Sequence, residues 1–532
     1  MVRFESRCGT VRRGRSSRSR VATAIVGLAV VPLLVTGCNS SASSGSDSSS
    51  HPQRGGDLTI ANDQDIQTLD KTRMFHNEDI WMSEQFFETL YAAAPDGKSL
   101  VPRLATSYNL SPDKKTWTFN LRHGVKFSNG KPMTADDVVF SIDDARGKTS
   151  LWASLDAAIQ TITAKGKYTV IIKTKYPWSP LLSDLALFSN GIVPKDFGGM
   201  SKKQFFTSPV GTGPFKFVTW KKGQYVKAVR NPYYWQSGRP YLDSVTWKDV
   251  PDANTRVLQV QGGQADIGEF PPWSSIASLQ SNSTVKVDLF PSSRTDYLAF
   301  NTRRKPFNDP HVRRAISYAL DRKAMIKAVL FGHGDPANAL LTPALWAHDS
   351  SLRGDEFSLT KAKAEMAKSS SPSGFSTTLT VDPGDNTQVT LSQLLQQELK
   401  PLGINLSVNK DSNASTDTEN FNYDMAFTYD TTDIIDPDEL VVFSAVGNGG
   451  THSLFTGYNS ARVNSLAAQA AHVFDQSQRK QLYAKIQAQV ATDAPLVPMY
   501  YSPFVYVQTD KVHGFNAYTI GYYPLQDVYK TP

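Results

Sequence analysis

Alternating apolar and polar residues predict β-strands at several places along the chain. In "GGDLTIAND", Leu58 and Ile60 alternate with polar neighbours and indicate a first strand. Trp117, Phe119 and Leu121 are spaced two residues apart and would share one face of another strand. Two further strands flank the Lys-Gly turn of "FKFVTWKKGQYVKAVR", and "APLVPMYYSPFVYVQ" predicts a strand-rich end of the chain.

Capping residues and apolar periodicity predict helices between these strands. We expect a mixed helical stretch at about 80–91, and Thr134 with Asp137 forms a predicted capping box for the next helix. Asp309 as N-cap and Pro310 at the first helical position start another helix. A later helix and strand are marked by Leu391, Leu394, Leu395, Leu399 and the run 404–408. Strands and helices mix without regular alternation, which favours an α/β fold with two lobes.

The composition is that of a globular protein, and its positive charge is confined to one end. At 532 residues the chain is too long for a single core. The net charge of +7 comes largely from residues 1–37, which hold seven Arg and one acid. Without them 49 basic and 48 acidic residues remain, so the folded part carries no excess charge that would indicate binding to nucleic acid.

The same amino-terminal segment has the organisation of an export signal. An Arg-rich start precedes the apolar run "VATAIVGLAVVPLLV", which is shorter than the roughly 20 residues that cross a bilayer. The sequence "VTGC" that follows is similar to the lipobox of bacterial lipoproteins, which predicts a signal peptide over 1–37 and a lipid on Cys38. An ordinary signal peptide or a short membrane anchor stays an alternative, and Arg12-Arg13 leaves export by the twin-arginine route open.

A Ser-rich segment follows the predicted lipidation site. Residues 39–51 contain eight Ser in thirteen residues, which cannot bury a core and predict a flexible tether over 38–54. Cys8 and Cys38 are the two cysteines of the chain, and Cys8 would leave with the signal peptide. The mature protein would therefore have neither a disulfide nor a thiol nucleophile, and it would sit at the outer face of the cell membrane.

Motifs of enzymes and of metal sites are missing from the sequence. It contains no G-x-S-x-G, H-E-x-x-H or C-x-x-C motif, and no two of its nine His are three or four residues apart. We therefore expect neither an enzyme nor a protein-bound metal or cofactor. Two alternatives stay open: an exported hydrolase that uses two cleft carboxylates, and a haem or metal chelate held by one His such as His76.

Four carboxylates lie within the ten residues "TTDIIDPDEL", and three of them have a predicted structural role. Asp436 is a predicted N-cap, Pro437 follows at the first helical position, and Glu439 would complete a capping box. Asp438 in the first turn suits the helix dipole. Asp433 is left without such a role, as a solvated loop residue or as a ligand contact.

Several long motifs, in order, resemble the extracellular solute-binding proteins of peptide ABC importers. They are "WTFNLRHGVKFSNGKPMTADDVVFS", "GTGPFKFVTW", "NPYYW", "QADI", "LAFNTRRKPFNDPHVRRAISYALDR" and "DIIDPDEL". The resemblance implies a two-lobed periplasmic-binding-protein-like fold that closes on its ligand. It implies a first lobe over 55–290 with an inserted subdomain at about 82–215, a second lobe over 291–499, and a return to the first lobe over 500–532.

The resemblance also implies which residues contact the ligand. In peptide-binding members, the Asp that precedes the "DPD" by three residues holds the α-ammonium of the peptide, and that residue is Asp433 here. Asp430 stands where a Trp is common and adds a negative charge beside this site. The other positions expected in the ligand site are Thr431, Tyr297, Trp152, Tyr500 and Ser502.

A ligand carboxylate has a less obvious partner in the sequence. Dipeptide-specific members of the family place an Arg where this chain reads "TVDPGDNTQ", so dipeptide specialisation is not indicated and Arg294 is the candidate substitute. We therefore expect a monomeric, lipid-anchored binding protein that delivers peptides, and preferentially oligopeptides, to an ABC permease and its ATPase subunits. Members of the family also bind nickel complexes, haem, oligosaccharides and opines, so another solute stays an alternative.

Overall fold

A computed structural model describes residues 52–532, and the predicted signal peptide, Cys38 and most of the tether lie outside this range. The strands of the described residues are, in chain order, β1 (Asp57–Asn62), β2 (Tyr91–Ala93), β3 (Leu100–Pro102), β4 (Ala105–Leu110), β5 (Thr116–Leu121), β6 (Ile159–Ala164), β7 (Thr169–Thr174), β8 (Phe215–Lys221), β9 (Tyr225–Arg230), β10 (Ser244–Asp249), β11 (Ile267–Glu269), β12 (Val285–Phe290), β13 (Thr295–Phe300), β14 (Asp335–Pro336), β15 (Phe375–Val381), β16 (Ile404–Lys410), β17 (Met425–Asp430), β18 (Leu496–Tyr501), β19 (Phe504–Thr509), β20 (Val512–His513) and β21 (Tyr529–Lys530).

The α-helices of the same residues are α1 (Asn77–Ser83), α2 (Ala135–Ala145), α3 (Leu181–Asp184), α4 (Lys202–Phe205), α5 (Ala253–Gln261), α6 (Ile276–Gln280), α7 (Pro310–Ala319), α8 (Arg322–Val329), α9 (Leu359–Lys368), α10 (Asn386–Leu399), α11 (Ala414–Glu419), α12 (Pro437–Ala445), α13 (Ala461–His472) and α14 (Gln476–Asp493). Short 3-10 turns lie at Phe188–Asn190, Lys195–Gly199, Trp273–Ser275, Lys400–Leu402 and Leu525–Asp527. None of the helices within residues 52–532 has the length and apolarity that a membrane crossing requires.

Two large mixed sheets organise the two lobes. The first lobe is built on a seven-stranded sheet in the order β12-β19-β11-β1-β10-β9-β8. The second lobe is built on a six-stranded sheet in the order β14-β18-β13-β17-β15-β16. β18 belongs to the second sheet and β19, which follows it directly, to the first, so the chain passes between the lobes at residues 502–503. These sheets confirm the predicted α/β class with two lobes.

A smaller antiparallel sheet, in the order β4-β5-β7-β6, is formed between β3 and β8. It lies within the sequence range expected for the inserted subdomain and has its own core. Trp117 and Phe119 are buried there and stack with their ring centroids 6.3 Å apart. The sheet therefore buries one face against α2, which supplies Val138 and Ile142 to the same core.

Most of the predicted elements are confirmed at the residues where the pattern placed them. β1 contains Leu58 and Ile60, and the inward face of β5 is formed by Trp117, Phe119 and Leu121. The capping box of α2 is present, and α7 begins at Pro310 after an Asp309 cap. Side-chain chemistry that acts within a few residues therefore determines these helix starts.

Two predicted helices are shorter than expected. α1 ends at Ser83, because the carbonyls of Gln85 and Phe86 accept hydrogen bonds from Phe215 and Gly213 instead of continuing a helix. The run after Pro310 is divided at Leu320, which is extended. Asp321 then caps a new helix by accepting from the amide of Ala324 at 3.0 Å. Long-range backbone pairing and a local cap decided these two boundaries.

A buried ion pair fixes the start of α12 against α14. Both carboxylate oxygens of Asp436 accept from the guanidinium of Arg479 at 2.7 Å, and both side chains are 7% exposed. Asp436 is also the N-cap of α12 and accepts from the amide of Asp438 at 3.0 Å. One carboxylate thus starts the helix and joins it to its neighbour.

We expect Arg479→Met to lower the free energy of unfolding by roughly 3–5 kcal/mol, because it leaves the Asp436 carboxylate buried and unpaired. Urea unfolding measures this loss. The double variant Asp436→Asn/Arg479→Met should lose less than the sum of the two single variants, since Asn still caps the helix and no charge is left unpaired. Additive losses would show that the pair is not energetically coupled.

Candidate functional site

The loop between β17 and α12 is organised by the carboxylate of Glu439. Its Oε2 atom accepts from the hydroxyl of Thr432 at 2.6 Å, the amide of Asp433 at 2.9 Å and the amide of Ile434 at 3.1 Å. The predicted cap at Asp436 is confirmed. The predicted capping box is wrong in its detail, because Glu439 reaches past the N-cap residue to the loop before it. This loop is thereby fixed together with the start of α12.

Asp433 stands at the tip of this loop and faces the first lobe across a small cavity. The cavity has a volume of about 30 Å³. Its walls include Asp433 and Ile435 from the second lobe and Glu84, Arg103 and Tyr522 from the first. Within the described residues, Asp433 takes part in hydrogen bonding through its backbone amide, whereas its carboxylate receives no donor. Asp433 is half-buried, whereas Glu84 Oε2 is buried and also has no hydrogen-bond partner among these residues.

Acidic side chains outnumber basic ones in the lining of the small cavity, where Asp433, Glu84 and Glu88 lie with Arg103. Burial, together with the neighbouring carboxylates of Glu439, Glu84 and Asp430, raises the pKa of Asp433 well above its ordinary value. Burial raises the pKa of Glu84 to about 8, although the nearby Arg103 opposes this shift. Burial also raises the pKa of Glu439 to about 7. A cation that entered the cavity would stabilise the ionised forms of these acids.

A larger cavity adjoins the small one. It has a volume of about 400 Å³, and Ala93, Arg103 and Tyr522 belong to the walls of both cavities. Its remaining walls include Tyr518 and Arg239. The smaller cavity is thus continuous in its lining with a space that is large enough for amino-acid side chains.

Asp430 and Thr431 lie beside Asp433 on the same side of the second lobe. Asp430 ends β17, is half-buried, and accepts a short hydrogen bond from the hydroxyl of Ser444 in α12. Burial raises the pKa of Asp430 to about 7. Thr431 is half-buried next to it. The structure therefore brings these two predicted residues together with Asp433. One oxygen of the Asp430 carboxylate already accepts a hydrogen bond from Ser444.

Arg294 and Ser502 meet at a different carboxylate, that of Asp296. Arg294 donates to Asp296 at 2.8 Å and lies over the ring of Tyr429, 3.9 Å from its centroid. Ser502 donates to the second oxygen of Asp296 at 2.7 Å. The charge of Arg294 is thus already paired within the protein, and its role as partner of a ligand carboxylate stays a prediction.

Tyr297 and Tyr500 are both packed inside the second lobe. Tyr297 is fully buried in β13 and donates to the carbonyl of Leu340 at 2.9 Å. Tyr500 is 2% exposed and belongs to the core of that lobe. Each has the contacts of a packing residue, and their roles as ligand contacts stay predictions.

Trp152 lies where the lobes touch. Its indole N–H donates to the carbonyl of Met74 at 2.8 Å, and its ring meets Phe188 edge-on. The ring of Phe443, from α12 of the second lobe, is 5.9 Å away. Trp152 therefore contributes to the contact between the lobes, beside the loop that carries Asp433.

His76 was the residue named for holding a haem or a metal chelate. His76 is an exposed residue directly before α1 and makes an edge-on contact with Phe75. Residues 52–532 contain no group of three or more His, Cys, Asp or Glu side chains that could hold a metal ion.

The residues that the first lobe contributes to the small cavity were not predicted from the sequence. Glu84 follows α1 and Arg103 follows β3, about 350 and 330 positions before Asp433, and Tyr522 lies in the last turns of the chain. No local spacing connects such distant positions. The one available signal was a charged residue within an otherwise apolar stretch, as in "VPRLA" around Arg103.

Comparison with known proteins agrees with this architecture. The profile of bacterial extracellular solute-binding proteins, family 5 Middle, matches residues 99–451. The glutathione-binding protein GsiB of Escherichia coli O157:H7 is 28% identical over 470 residues, which cover 86% of this chain and 91% of that protein. A periplasmic binding protein DppA of Helicobacter pylori, solved with the peptide STSA, is 27% identical with a TM-score of 0.80 and covers 90% of this chain and 99% of that one.

The oligopeptide-binding protein AppA of Bacillus subtilis, solved with a nonapeptide, is similar to the same extent. Its structure aligns with a TM-score of 0.80 at 25% identity and covers 91% of this chain and 100% of that one. The chain therefore belongs to the bacterial extracellular solute-binding proteins of family 5, which are substrate-binding proteins of ABC importers and not enzymes.

Proposed function

We propose that this protein captures peptides with a free amino terminus and holds the ammonium group between Asp433 and Glu84. The observation that carries the proposal is the pair of carboxylates, one from each lobe, that line one small cavity without a hydrogen-bond donor among the described residues. Two neighbouring carboxylates that are partly removed from water and form no ion pair among the described residues are unfavourable when ionised. A ligand ammonium supplies the missing charge and up to three donors.

The dimensions of the cavity support a small cationic group. A volume of about 30 Å³ accommodates an ammonium group or a water molecule, but not a whole residue. The rest of a peptide would extend into the larger adjoining space of about 400 Å³ and along the surfaces where the lobes meet. Because both lobes contribute a carboxylate, the ligand would bind the closed arrangement more tightly than the open one.

The ligands named for similar proteins support the same class of solute. The Helicobacter pylori and Bacillus subtilis proteins were solved with peptides, and the Escherichia coli protein is named for glutathione, which is itself a tripeptide. Arg294 already forms an ion pair with Asp296, so it gives no support for a fixed contact with the carboxyl terminus of the ligand. This supports ligands of varied length.

The proposed function implies a cellular location and partner proteins for transport. The lipobox-like sequence supports attachment through a lipid on Cys38 to the outer face of the cell membrane, and we propose that the protein acts there as a monomer. There it would pass peptides to an ABC permease and its ATPase subunits. We propose the limits 55–290 for the first lobe, with an insertion at about 82–215, and 291–499 for the second lobe, with 500–532 returning to the first.

Asp433→Asn tests the ammonium site, because it keeps the shape of the side chain and removes its charge. Isothermal calorimetry on tri-alanine, Ser-Thr-Ser-Ala and glutathione first identifies a ligand. We expect the substitution to weaken that ligand roughly 150- to 5,000-fold, as for one partner of a buried ion pair. N-acetylation of the ligand should weaken the parent protein strongly and Asp433→Asn much less, which gives a large coupling energy.

Asp430→Asn is the matched control, since this acid lies three residues away and already accepts from Ser444. We expect it to change the effect of acetylation little. Asp436 is unsuitable as a control, because Arg479 depends on its charge. If acetylation costs the same on the parent and on Asp433→Asn, Asp433 does not hold the amine. If no free-amine peptide binds at all, the peptide assignment fails.

Closure of the lobes on a peptide should be visible in solution. We expect small-angle X-ray scattering to give a smaller radius of gyration with a saturating peptide than without it, because the ligand bridges the lobes and shifts the population to the closed state. A radius that stays the same, while calorimetry records binding, would contradict a site shared by both lobes.

Replacing Cys38 with Ala should release the protein from the membrane fraction of the producing bacterium, because the lipid would have no sulfur to attach to. Immunoblots of membrane and soluble fractions measure the distribution. The affinity for peptide should stay unchanged, since position 38 precedes the residues proposed for the two lobes in the sequence. Retention of the variant in the membrane would contradict lipid attachment at this residue.

A further inference from the structure

The guanidinium of Arg103 lies in the wall of both cavities and is only lightly engaged by the protein. Its Nη2 atom donates to the hydroxyl of Tyr522 at 3.2 Å, and among residues 52–532 no carboxylate forms an ion pair with it. Arg has five N–H donors, so most of them are available to a bound molecule. Such a half-buried cation beside a ligand cavity is a ready partner for an anion.

The neighbouring charged groups do not neutralise Arg103 by direct contact. Glu88 lines the same small cavity, and its carboxylate accepts from the indole of Trp235 at 2.9 Å and from the hydroxyl of Tyr234 at 3.2 Å. Glu84 lines the small cavity opposite Asp433. When an ammonium group occupies the position between Glu84 and Asp433, these two acids have their own cation, and the remaining N–H donors of Arg103 still lack a carboxylate in direct contact among residues 52–532.

The second guanidinium of the larger cavity, that of Arg239, already has a carboxylate partner. Arg239 forms a short ion pair with Asp527 and lies over the ring of Tyr241, 5.1 Å from its centroid. Unlike Arg103, it does not line the small cavity that contains Asp433. The two arginines therefore form a natural pair for comparison: one unpaired and next to the ammonium position, the other paired and further from it.

We propose that Arg103 selects ligands whose amino-terminal residue carries a free carboxylate in addition to its amine. The inference rests on the proposed function, because the amine is first placed between Asp433 and Glu84. Since Arg103 lines the same cavity of about 30 Å³, the anion that it binds must be joined to the amine through only a few atoms. The carboxylate of the ligand's first residue meets this condition, whereas the carboxyl terminus of a long peptide does not.

Two kinds of peptide present this arrangement of charges. In a normally linked peptide, an amino-terminal Asp or Glu places its side-chain carboxylate near the amine. In a γ-linked peptide, an amino-terminal Glu keeps its α-carboxylate free, one carbon from the amine. Both place an ammonium and a carboxylate on the same residue, although the two groups are further apart in the first kind, and the bidentate geometry of a guanidinium suits either carboxylate.

Matched ligand pairs separate the two sources. The first pair is Glu-Ala-Ala and Gln-Ala-Ala; the second is γ-Glu-Ala-Ala and the same peptide with its α-carboxylate converted to an amide. In at least one pair we expect the parent protein to bind the carboxylate form about 10- to 150-fold more tightly, as for a hydrogen bond to a charged group. The pair that shows the preference identifies the source of the carboxylate.

Arg103→Gln should reduce that preference to less than about threefold while leaving the binding of tri-alanine within a similar factor. Arg239→Gln is the matched control and should keep the parental preference. Arg103→Lys retains the charge without the planar guanidinium group and should give an intermediate preference. It provides a second test if circular dichroism shows that Arg103→Gln unfolds at a lower temperature than the parent protein.

The outcomes distinguish this inference from the proposed function. If free-amine peptides bind but neither pair discriminates, or if the preference survives in Arg103→Gln and is lost in Arg239→Gln, Arg103 does not select a carboxylate. If no free-amine peptide binds the parent protein, the proposed function itself fails. A preference that depends on Arg103 and is lost after N-acetylation supports both.

Discussion

The hydrogen bonds of Glu439 are the interaction on which the ligand site depends. One carboxylate oxygen accepts hydrogen bonds from the hydroxyl of Thr432 and from the amides of Asp433 and Ile434. Three successive residues are therefore held by a side chain from the helix that follows. The helix is itself fixed by Asp436 and its ion pair with Arg479. The carboxylate of Asp433 is consequently held at the tip of a constrained loop, turned towards the other lobe.

This arrangement concentrates negative charge and leaves it incompletely balanced. Asp430, Asp433, Asp436, Asp438 and Glu439 all lie from the end of β17 to the first turn of α12, and of these acids Asp436 alone forms an ion pair within residues 52–532. Ionised carboxylates are costly to bury without a counterion. In the proposed closed state these acids lie near a second acid of the first lobe, Glu84, and the ammonium group of the proposed ligand would supply positive charge between them. Ligand binding and closure would then be coupled through the same electrostatic interaction.

The sequence predicted the parts of this site that depend on short-range chemistry. The Asp436 cap and the Pro that follows it act within three residues, so their pattern is readable without a fold. The hydrogen bonds from the loop to Glu439 could not be predicted. A Glu at this position can accept from the amide of the N-cap residue or from the amides of the loop before it, and the sequence is the same in both cases. Glu84 was missed for another reason: its proximity to Asp433 arises from the packing of two lobes and leaves no periodic trace in the sequence.

A division of labour between the lobes follows from these contacts. In the second lobe, Asp433 is positioned by residues within six places of it, so its role is encoded by a compact motif that similar proteins can retain as a unit. In the first lobe, Glu84 and Arg103 come from separate connections after α1 and β3, and each can change without disturbing the loop. The position of Asp433 is thus determined by local structure, whereas Glu84 and Arg103 are positioned by separate elements of the first lobe. For this reason, similarity over the whole chain determines the fold and the class of transport protein, but the solute has to be deduced from the individual residues that line the cleft.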